Sequence, residues 1–167
     1  MFADSIFPAA LVVAAFLSSL VAGLLFVFAI VVMPGIRRLP DREFIRAFQA
    51  MDGIIQNNQP LFILVWVGSA VAVIATALLG LGRLDGPARV LMLLAAFAYV
   101  VGVQVPTVAV NVPLNNRLQA VNVDALDPAA QQRARRDFEP RWNRWNAVRT
   151  IIASLASAGF MLLLLLL

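Results

Sequence analysis

Histidine, cysteine and lysine are absent from this 167-residue chain. Without histidine and cysteine the protein has no thiolate nucleophile, and it cannot build a zinc finger, an iron–sulfur cluster or a haem site with His or Cys ligands. Ser-His-Asp and Cys-His catalysis are excluded for the same reason. A metal site would need several carboxylates or amides close together, and the sequence contains no such cluster. We therefore predict no bound metal.

Charged residues are also scarce, at 13% of the chain against 62% hydrophobic residues. This composition is typical of a protein that lies in a lipid bilayer. Crossing the hydrocarbon layer takes roughly 20 helical residues, and four stretches are long and apolar enough: residues 6–33, 61–81, 90–110 and 151–167. We predict an all-α integral membrane protein, a single domain (1–167) built as a four-helix bundle in contact with membrane lipid.

The positive charge is carried by 13 arginines, against 9 acidic residues. Because the arginines lie between apolar stretches and not on a soluble surface, we expect no nucleic-acid partner. Arg83 and Arg89 fall between the second and third stretches, whereas the other eleven lie in the two longer loops. The positive-inside rule then predicts that the long loops are cytoplasmic and both termini are outside. An alternative is that the loop arginines bind a substrate or lipid headgroups.

The first long loop has the pattern of an amphipathic helix over about residues 41–57. Asp41 is suited to the N-cap position, and Phe44, Ile45 and Phe48 then recur at helical spacing. Polar side chains occupy the opposite face of this helix. We therefore predict a helix that lies at the membrane surface.

The second long loop also predicts a helix, over about residues 128–150. Asp127 and Pro128 are typical of an N-cap and a first helical residue. Pro140 lacks a backbone N–H and its ring clashes with the carbonyl four residues earlier. We therefore expect Pro140 to kink or end this helix before the fourth apolar stretch.

The two halves of the chain show a weak sequence similarity. VVMPGIRRL at Val31 and VNVPLNNRL at Val110 share valine, proline, arginine and leucine in register, and each closes an apolar stretch before a polar helical loop. Two hairpins of the same orientation would form a parallel repeat with a site at their interface. Coincidence is the alternative interpretation, because only four of nine positions match.

Polar side chains cluster where the third stretch ends. Gln104, Asn111 and Asn115 share one helical face, and each of Pro106 and Pro113 frees a backbone carbonyl four residues earlier. The amides either satisfy those carbonyls or face a ligand, since an unpaired amide is costly in hydrocarbon.

The amides of the turn QNNQP before the second stretch also have either a structural or a ligand-binding role. The turn contains Asn58, and it either breaks the chain between the surface helix and the span or adds an amide to the rim of the same pocket.

A second polar stripe leads into the fourth stretch. Glu139, Trp142, Asn146 and Arg149 follow one another at steps of three or four, which places them on one helical face. One interpretation is a ligand site with a carboxylate, an indole, an amide and a guanidinium. The other has Glu139 paired with Arg135, the tryptophans as interface anchors and Arg149 reaching the headgroups.

Several of these segments together resemble a known family. They are VMPG after the first span, FQAM in the following helix, PLF opening the second span, NVPLNN after the third and RWNRWNAVRT before the fourth. In this order they are similar to a widespread family of uncharacterised bacterial four-helix integral membrane proteins that includes the fungal anthrone oxygenases. The resemblance covers nearly the whole chain. It implies a location in the bacterial inner membrane and, by analogy, oxygen chemistry on an apolar aromatic substrate without a bound cofactor.

The resemblance also suggests roles for the polar residues. An enolised anthrone is an electron-rich anion that can react with oxygen directly, so the protein needs to bind a ring, accept a proton and stabilise negative charge. Trp142 or Trp145 would contact the ring, and Arg149 with Asn115 and Asn146 would stabilise the oxyanion. Glu139 is the expected base, because no histidine is present. Two further amides, Asn58 and Asn111, complete the expected substrate-binding set.

Three functions remain open from the sequence. The first is an enzyme of the anthrone oxygenase type. The second is a non-enzymatic membrane protein that binds a lipid or small molecule or serves as an assembly partner, and the third is a small transporter that would work as a homo-oligomer. An apolar pocket lined by Asn111, Asn115, Asn146 and Arg149 would favour the first. Complete pairing of these side chains with each other and with the backbone would favour the second.

Overall fold

Four long apolar helices dominate the structure, a computed structural model that describes residues 2–167, with side chains from residue 5 onward. The helices that are long and apolar enough to cross a membrane are Ser5–Ile36, Pro60–Gly80, Gly86–Gln119 and Pro128–Leu166. We refer to them as the first to fourth spans. The described residues contain no strand. These findings confirm the predicted all-α fold with four spanning helices.

The elements follow the chain in a simple order. The first span consists of α1 (Phe2–Val27), a π-helical turn (Phe28–Val32) and α2 (Met33–Ile36), and it is followed by α3 (Asp41–Gln56) and α4 (Pro60–Gly80). The third span consists of α5 (Gly86–Tyr99), two π-helical turns (Val100–Gln104 and Thr107–Asn111) and α6 (Val112–Gln119). A 3₁₀ turn (Val123–Ala125) leads to α7 (Pro128–Leu166), which is the fourth span.

The π-helical turns all precede prolines, at the same distance. The three turns end two residues before Pro34, Pro106 and Pro113, and in each case the residue just before the proline donates its N–H to the carbonyl five residues earlier. A five-residue turn is wider than an α-helical one, so the helix can pass a proline without ending. The third span therefore runs on to Gln119, beyond the predicted residue 110. A π-helical turn precedes the proline of both motifs of the predicted parallel repeat. The repeat itself stays a prediction.

The fourth span differs from the expectation at Pro140. The predicted loop helix (128–150) and the predicted span (151–167) form one continuous helix with Pro140 inside it. Its 39 residues extend about 58 Å at 1.5 Å per residue, so its N-terminal part projects well beyond the bilayer. Arg136, whose carbonyl loses its helical partner to Pro140, is exposed. Water can satisfy that carbonyl, which removes the main penalty for continuing the helix.

Two apolar clusters hold the bundle together. The larger one fills the half nearest the termini, where Phe7, Leu11, Met92, Phe160 and Leu163 are buried among the four spans. The smaller one lies at the opposite end, under α3, whose apolar face packs against α6 and α7. This second cluster contains Phe44, Ile45, Phe48, Leu114, Leu118, Phe138 and Trp142. Helix α3 therefore closes the loop-side end of the bundle, with its apolar face against protein.

Ionic contacts fasten α3 to its neighbours. Arg135 in α7 donates to Glu139 Oε2 at 2.7 Å, to Asp41 Oδ1 at 3.0 Å and to the backbone carbonyls of Arg37 and Leu39 at 2.7 and 2.9 Å. These bonds join the connection before α3 to the fourth span.

On the other side of α3, two arginines of that helix bind the loop after α6. Arg42 and Arg46 both donate to the carboxylate of Asp124. They hold the pKa of Asp124 below its ordinary value, mainly through these hydrogen bonds.

Candidate functional site

A cavity of about 260 Å³ lies at the loop-side end of the bundle, beneath α3. Most of its wall is apolar, with residues from the first three spans, from α3 and from α7. The polar side chains that line it are Asp52, Thr107, Asn111, Asn115, Asn146 and Arg149. An engineered cavity of about 150 Å³ binds benzene, so this volume can hold a larger ring system. A mainly apolar cavity with a few convergent polar groups is typical of a small-molecule site.

Asp52 brings a carboxylate into this cavity from α3. Its side chain is buried, and it accepts hydrogen bonds from Asn115 Nδ2 at 2.8 Å and from Gln56 Nε2 at 2.6 Å. Burial raises the pKa of Asp52 above its ordinary value, while the two amide donors partly oppose this effect. A carboxyl group with a raised pKa is suited to exchanging a proton near neutral pH.

Asn115 links this carboxylate to Trp142. Its Oδ1 accepts a hydrogen bond from Trp142 Nε1 at 2.8 Å, while its Nδ2 donates to Asp52. The indole N–H therefore fixes the orientation of the Asn115 amide, because the opposite orientation would place two donors together. The ring of Trp142 packs against Phe28 and Phe48, with centroid distances of 5.7 and 5.5 Å.

Arg149 is the buried cation of the site. Its Nη1 donates to Thr107 Oγ1 at 2.8 Å and its Nη2 to Asn146 Oδ1 at 3.1 Å, and its guanidinium carbon lies 6.0 Å from the centre of the Trp142 ring. Asn146 in turn donates to the carbonyl of Leu25 in the first span at 3.0 Å. No carboxylate of the described residues forms an ion pair with Arg149. Arg149 is therefore a buried guanidinium whose hydrogen-bond partners are all neutral.

Two residues of the cavity wall each have a fully buried polar atom without a hydrogen-bond partner. The atoms are Arg149 Nε, a donor, and Asn111 Oδ1, an acceptor, in side chains that are 3% and 2% exposed. Asn111 Nδ2 is held by the carbonyl of Trp142 at a long 3.4 Å. A buried polar atom without a partner is costly and needs an explanation. After small shifts of the two side chains, a ligand with an oxygen near Arg149 and a hydroxyl near Asn111 would satisfy both atoms.

The local fold explains why these side chains converge. Thr107 and Asn111 are the first and last residues of the second π-helical turn of the third span. This turn occurs because Pro113 follows it, and π-helical turns are frequent at functional sites. On α7, Trp142, Asn146 and Arg149 keep their spacing of three and four residues because the helix continues past Pro140.

The structure brings five of the eight predicted site residues together. Asn111, Asn115, Trp142, Asn146 and Arg149 all line the cavity. The other three do not line it. Asn58 forms the turn between α3 and α4 with a positive φ of 59°, a conformation that asparagine tolerates. Trp145 is half-buried elsewhere on α7, and Glu139 is paired with Arg135 and approached by Arg37 at 3.7 Å.

Sequence reasoning missed Asp52 and Thr107. Asp52 follows Phe48 by four residues and precedes Ile55 by three, so it interrupts the apolar stripe of an amphipathic helix. A carboxylate within such a stripe is a signal of a buried acid, and it could have been used. Thr107 had no comparable signal, because a threonine in a membrane helix usually bonds to its own backbone. It does so here, donating to the carbonyl of Val103 at 2.7 Å, and it also accepts from Arg149.

Comparison with known proteins adds the family. No curated protein and no solved structure matches the chain. The sequence model of the anthrone oxygenase family matches residues 54–159. The match contains all of the cavity's polar residues named above except Asp52, which lies two residues before it. It spans more than half of the sequence, and the chain therefore belongs to the anthrone oxygenase family.

Proposed function

We propose that this membrane protein is a cofactor-independent oxygenase that acts on a lipophilic, enolisable aromatic ketone of the anthrone type. The observation that carries the proposal is the presence, in one apolar cavity, of a buried carboxyl group with a raised pKa, Asp52, and a buried arginine with an unpaired N–H, Arg149. An acceptor for a proton and a stabiliser for an oxyanion are the two groups that enolate formation requires.

The proposed reaction begins with proton transfer. Asp52 removes a proton from the ring CH₂ group, and the ketone oxygen becomes an enolate oxygen that accepts a hydrogen bond from Arg149 Nε. Molecular oxygen then takes an electron pair from the carbanion-like carbon and forms a C–O bond, which gives a hydroperoxide after protonation. Loss of water from the hydroperoxide leaves a second ketone. One O₂ is consumed and one H₂O released for each CH₂ group converted to C=O.

Asp52 replaces Glu139 as the proposed base. Glu139 does not line the cavity and is held by Arg135, whereas Asp52 lies in the cavity wall. Gln56 bonds to Asp52 and also donates to Asn116 Oδ1 at 3.2 Å, and both Gln56 and Asn116 are exposed. Asp52 is therefore one side chain away from solvent, which gives the proton a short route out of the site.

The test is oxygen uptake by the purified protein with a panel of anthrones, compared across three variants. We expect Asp52→Asn to lower the rate by about 10²–10⁴-fold and Arg149→Gln by about 10²–10³-fold. Glu139→Gln makes the same carboxylate-to-amide change outside the cavity, so its rate per folded protein should be close to wild type. Binding of the product quinone, followed by tryptophan quenching, shows whether each variant keeps the site.

The outcomes separate the alternatives. A large loss in Glu139→Gln with little loss in Asp52→Asn would return Glu139 to the role of base. Oxygen uptake that no variant changes would remove the proposed site, and no protein-dependent uptake would remove the reaction.

A second candidate is a non-enzymatic protein in which the polar cluster joins the helices. Its support is that most of the cluster is paired internally: Asn146 joins Arg149 to the first span, and Asn115 joins α3 to α7. This candidate predicts that the variants lose thermal stability and that wild-type protein has no oxygen uptake. The two unpaired atoms, Arg149 Nε and Asn111 Oδ1, favour the enzyme.

We also propose, from the distribution of the arginines, that the cavity end of the bundle faces the cytoplasm and that both termini lie outside. A reporter fused after Leu167 tests this orientation, because a cytoplasmic signal would contradict it.

A further inference from the structure

One side of the cavity is also the outer surface of the bundle. Phe62 and Trp66 of α4 line it on one helix, and Val108 and Val112 of the third span line it on another. Val108 is 69% exposed and Val112 is 41% exposed, although both border the same cavity as the buried Arg149. The cavity therefore opens sideways, between the second and third spans.

The packing of α4 explains this gap. Helix α4 packs against α1 and against α5, the first half of the third span. Beyond α5 the third span passes through its two π-helical turns and Pro106, and the cavity separates Val108 and Val112 from α4. Phe62 and Trp66 are half-buried and stack with their rings 5.5 Å apart and nearly parallel, at 14°. They form a flat, apolar edge to the opening.

The opening lies beside the first two turns of α4, an apolar span. Trp66 is six residues after Pro60, the first residue of α4, which is about 9 Å along the helix axis at 1.5 Å per residue. The opening is bordered by four apolar side chains, Phe62, Trp66, Val108 and Val112. Exposed apolar side chains at this depth contact lipid in a membrane protein, and polar groups at this depth face protein or a cavity. An opening bordered in this way is suited to contact with lipid chains and not with water.

We propose that this gap between Phe62/Trp66 and Val108/Val112 is the entrance of the cavity, and that it admits a neutral ligand that is already dissolved in the bilayer. The inference rests on the proposed function only in taking the cavity to be a ligand site. An apolar ring can pass between these side chains without losing its lipid-like surroundings until its oxygen meets Arg149 and Asn111. Water-soluble, charged compounds are excluded, because they would have to cross the headgroups and then be desolvated.

The test narrows the entrance without touching the polar end of the site. In the double variant Val108→Phe/Val112→Phe, two valines four residues apart become larger. The matched control is Val67→Phe/Val71→Phe, the same change at the same spacing on α4, at residues that are 55% and 61% exposed and do not line the cavity. The probe is 1,8-dihydroxyanthraquinone added to nanodiscs, and its binding is followed by stopped-flow quenching of tryptophan fluorescence.

We expect the entrance variant to slow association by about tenfold or more, while the control stays near the wild-type rate. Dissociation should slow with it, because a narrowed entrance hinders passage in both directions and leaves affinity similar. Equal association rates in the two variants would overturn the proposal. So would an absence of quenching in the wild-type protein. Binding without oxygen uptake would remove the proposed reaction and leave the entrance in place.

The absence of cysteine allows an independent measurement. A single Val108→Cys thiol in this chain can be treated with a charged, water-soluble methanethiosulfonate, and compared with Arg117→Cys at an exposed position of α6. We expect modification at position 108 to be at least about tenfold slower, because a charged reagent is excluded from lipid. Equal rates would show that the opening is aqueous and would overturn the proposal, whether or not the Phe variants fold well.

Discussion

The two halves of this bundle use polar side chains in different ways. In the half nearest the termini, most buried polar groups are hydroxyls. Ser18 and Ser69 each donate to a carbonyl of their own helix, at 3.2 and 2.7 Å. They also accept hydrogen bonds from Ser157 and Tyr99 of other spans, at 3.1 and 2.7 Å. In the loop-side half they are mainly amides, a carboxylate and a guanidinium, and each of Asn115 and Asn146 joins its own helix to at least one other. The first half is filled by apolar side chains, and the second contains the cavity.

This difference has a physical basis. A serine hydroxyl in a helix can bond to a carbonyl of its own preceding turn, so it needs little from its neighbours. An amide or a guanidinium has several donors and cannot be satisfied in that way, so it has to reach across to another helix. The loop-side network therefore holds side chains apart at fixed positions, which is what keeps an apolar cavity open beside them. The comparison predicts that stability depends most on one half and ligand recognition on the other.

The largest expected effect comes from truncating one phenylalanine in each half. Phe160 in the filled half is fully buried, and Phe48 in α3 is 2% exposed and borders the cavity. Phe160→Ala should lower the free energy of unfolding by about 3–5 kcal/mol, with quinone binding by the folded protein unchanged. Phe48→Ala should also lower stability, and it should weaken quinone binding because it removes a wall of the site. Thermal unfolding and tryptophan quenching measure the two effects.

The opposite pattern would break the comparison. If Phe160→Ala weakened quinone binding as much as Phe48→Ala does, the two halves would be coupled. The filled half would then contribute to ligand recognition as well as to stability.

A smaller effect is expected from removing one N–H in the polar half. Trp142→Phe keeps the aromatic packing but leaves Asn115 Oδ1 without its donor, which should cost about 1–3 kcal/mol. The freed amide can then rotate away from Asp52, so the pKa of Asp52 should rise further. We expect the pH at which oxygen uptake is half-maximal to move upward, which loss of packing alone would not cause.

Trp145→Phe is the matched control for this change, because Trp145 does not line the cavity. A shift of the pH profile in Trp145→Phe, or none in Trp142→Phe, would contradict a positioning role for the indole N–H.

The sequence predicts this fold better than it predicts the site. The four spans follow from the lengths of the apolar stretches, and Trp142, Asn146 and Arg149 follow from helical spacing. The apolar stripe of α3 indicates that Asp52 is buried, but its bond to Asn115 depends on how α3 docks onto α6, which no local pattern specifies. Glu139 also has a carboxyl group, and it lies on the same helical face as Trp142 and Arg149. It is not suited to act as the base, because it is paired with Arg135 four residues earlier. Local spacing separates the two carboxylates in part, because Glu139 has Arg135 one helical turn earlier, whereas Asp52 interrupts an apolar stripe. Tertiary packing decides which of them lines the cavity.

The smallest expected effect is on the pH dependence of stability, and it concerns Asp52, the proposed base. Because the pKa of Asp52 is raised in the native state, the unfolded chain loses this proton at lower pH than the folded protein does. The contribution of Asp52 to stability therefore falls as pH rises from its ordinary pKa to its raised one, and stays lower above that window. Asp52→Asn cannot titrate, so its thermal stability relative to wild type should improve between acidic and neutral pH.

Oxygen uptake should show the reverse dependence, since only ionised Asp52 can accept a proton. Wild-type activity should therefore rise over the same pH window in which the contribution of Asp52 to stability falls. This would place a charge that burial disfavours at the reacting position. A stability difference between wild type and Asp52→Asn that is constant with pH would show that Asp52 does not titrate with a raised pKa. In that case Asp52 would lose the role of base, and the loop-side half would differ from the filled half in its cavity and its amide and guanidinium groups alone.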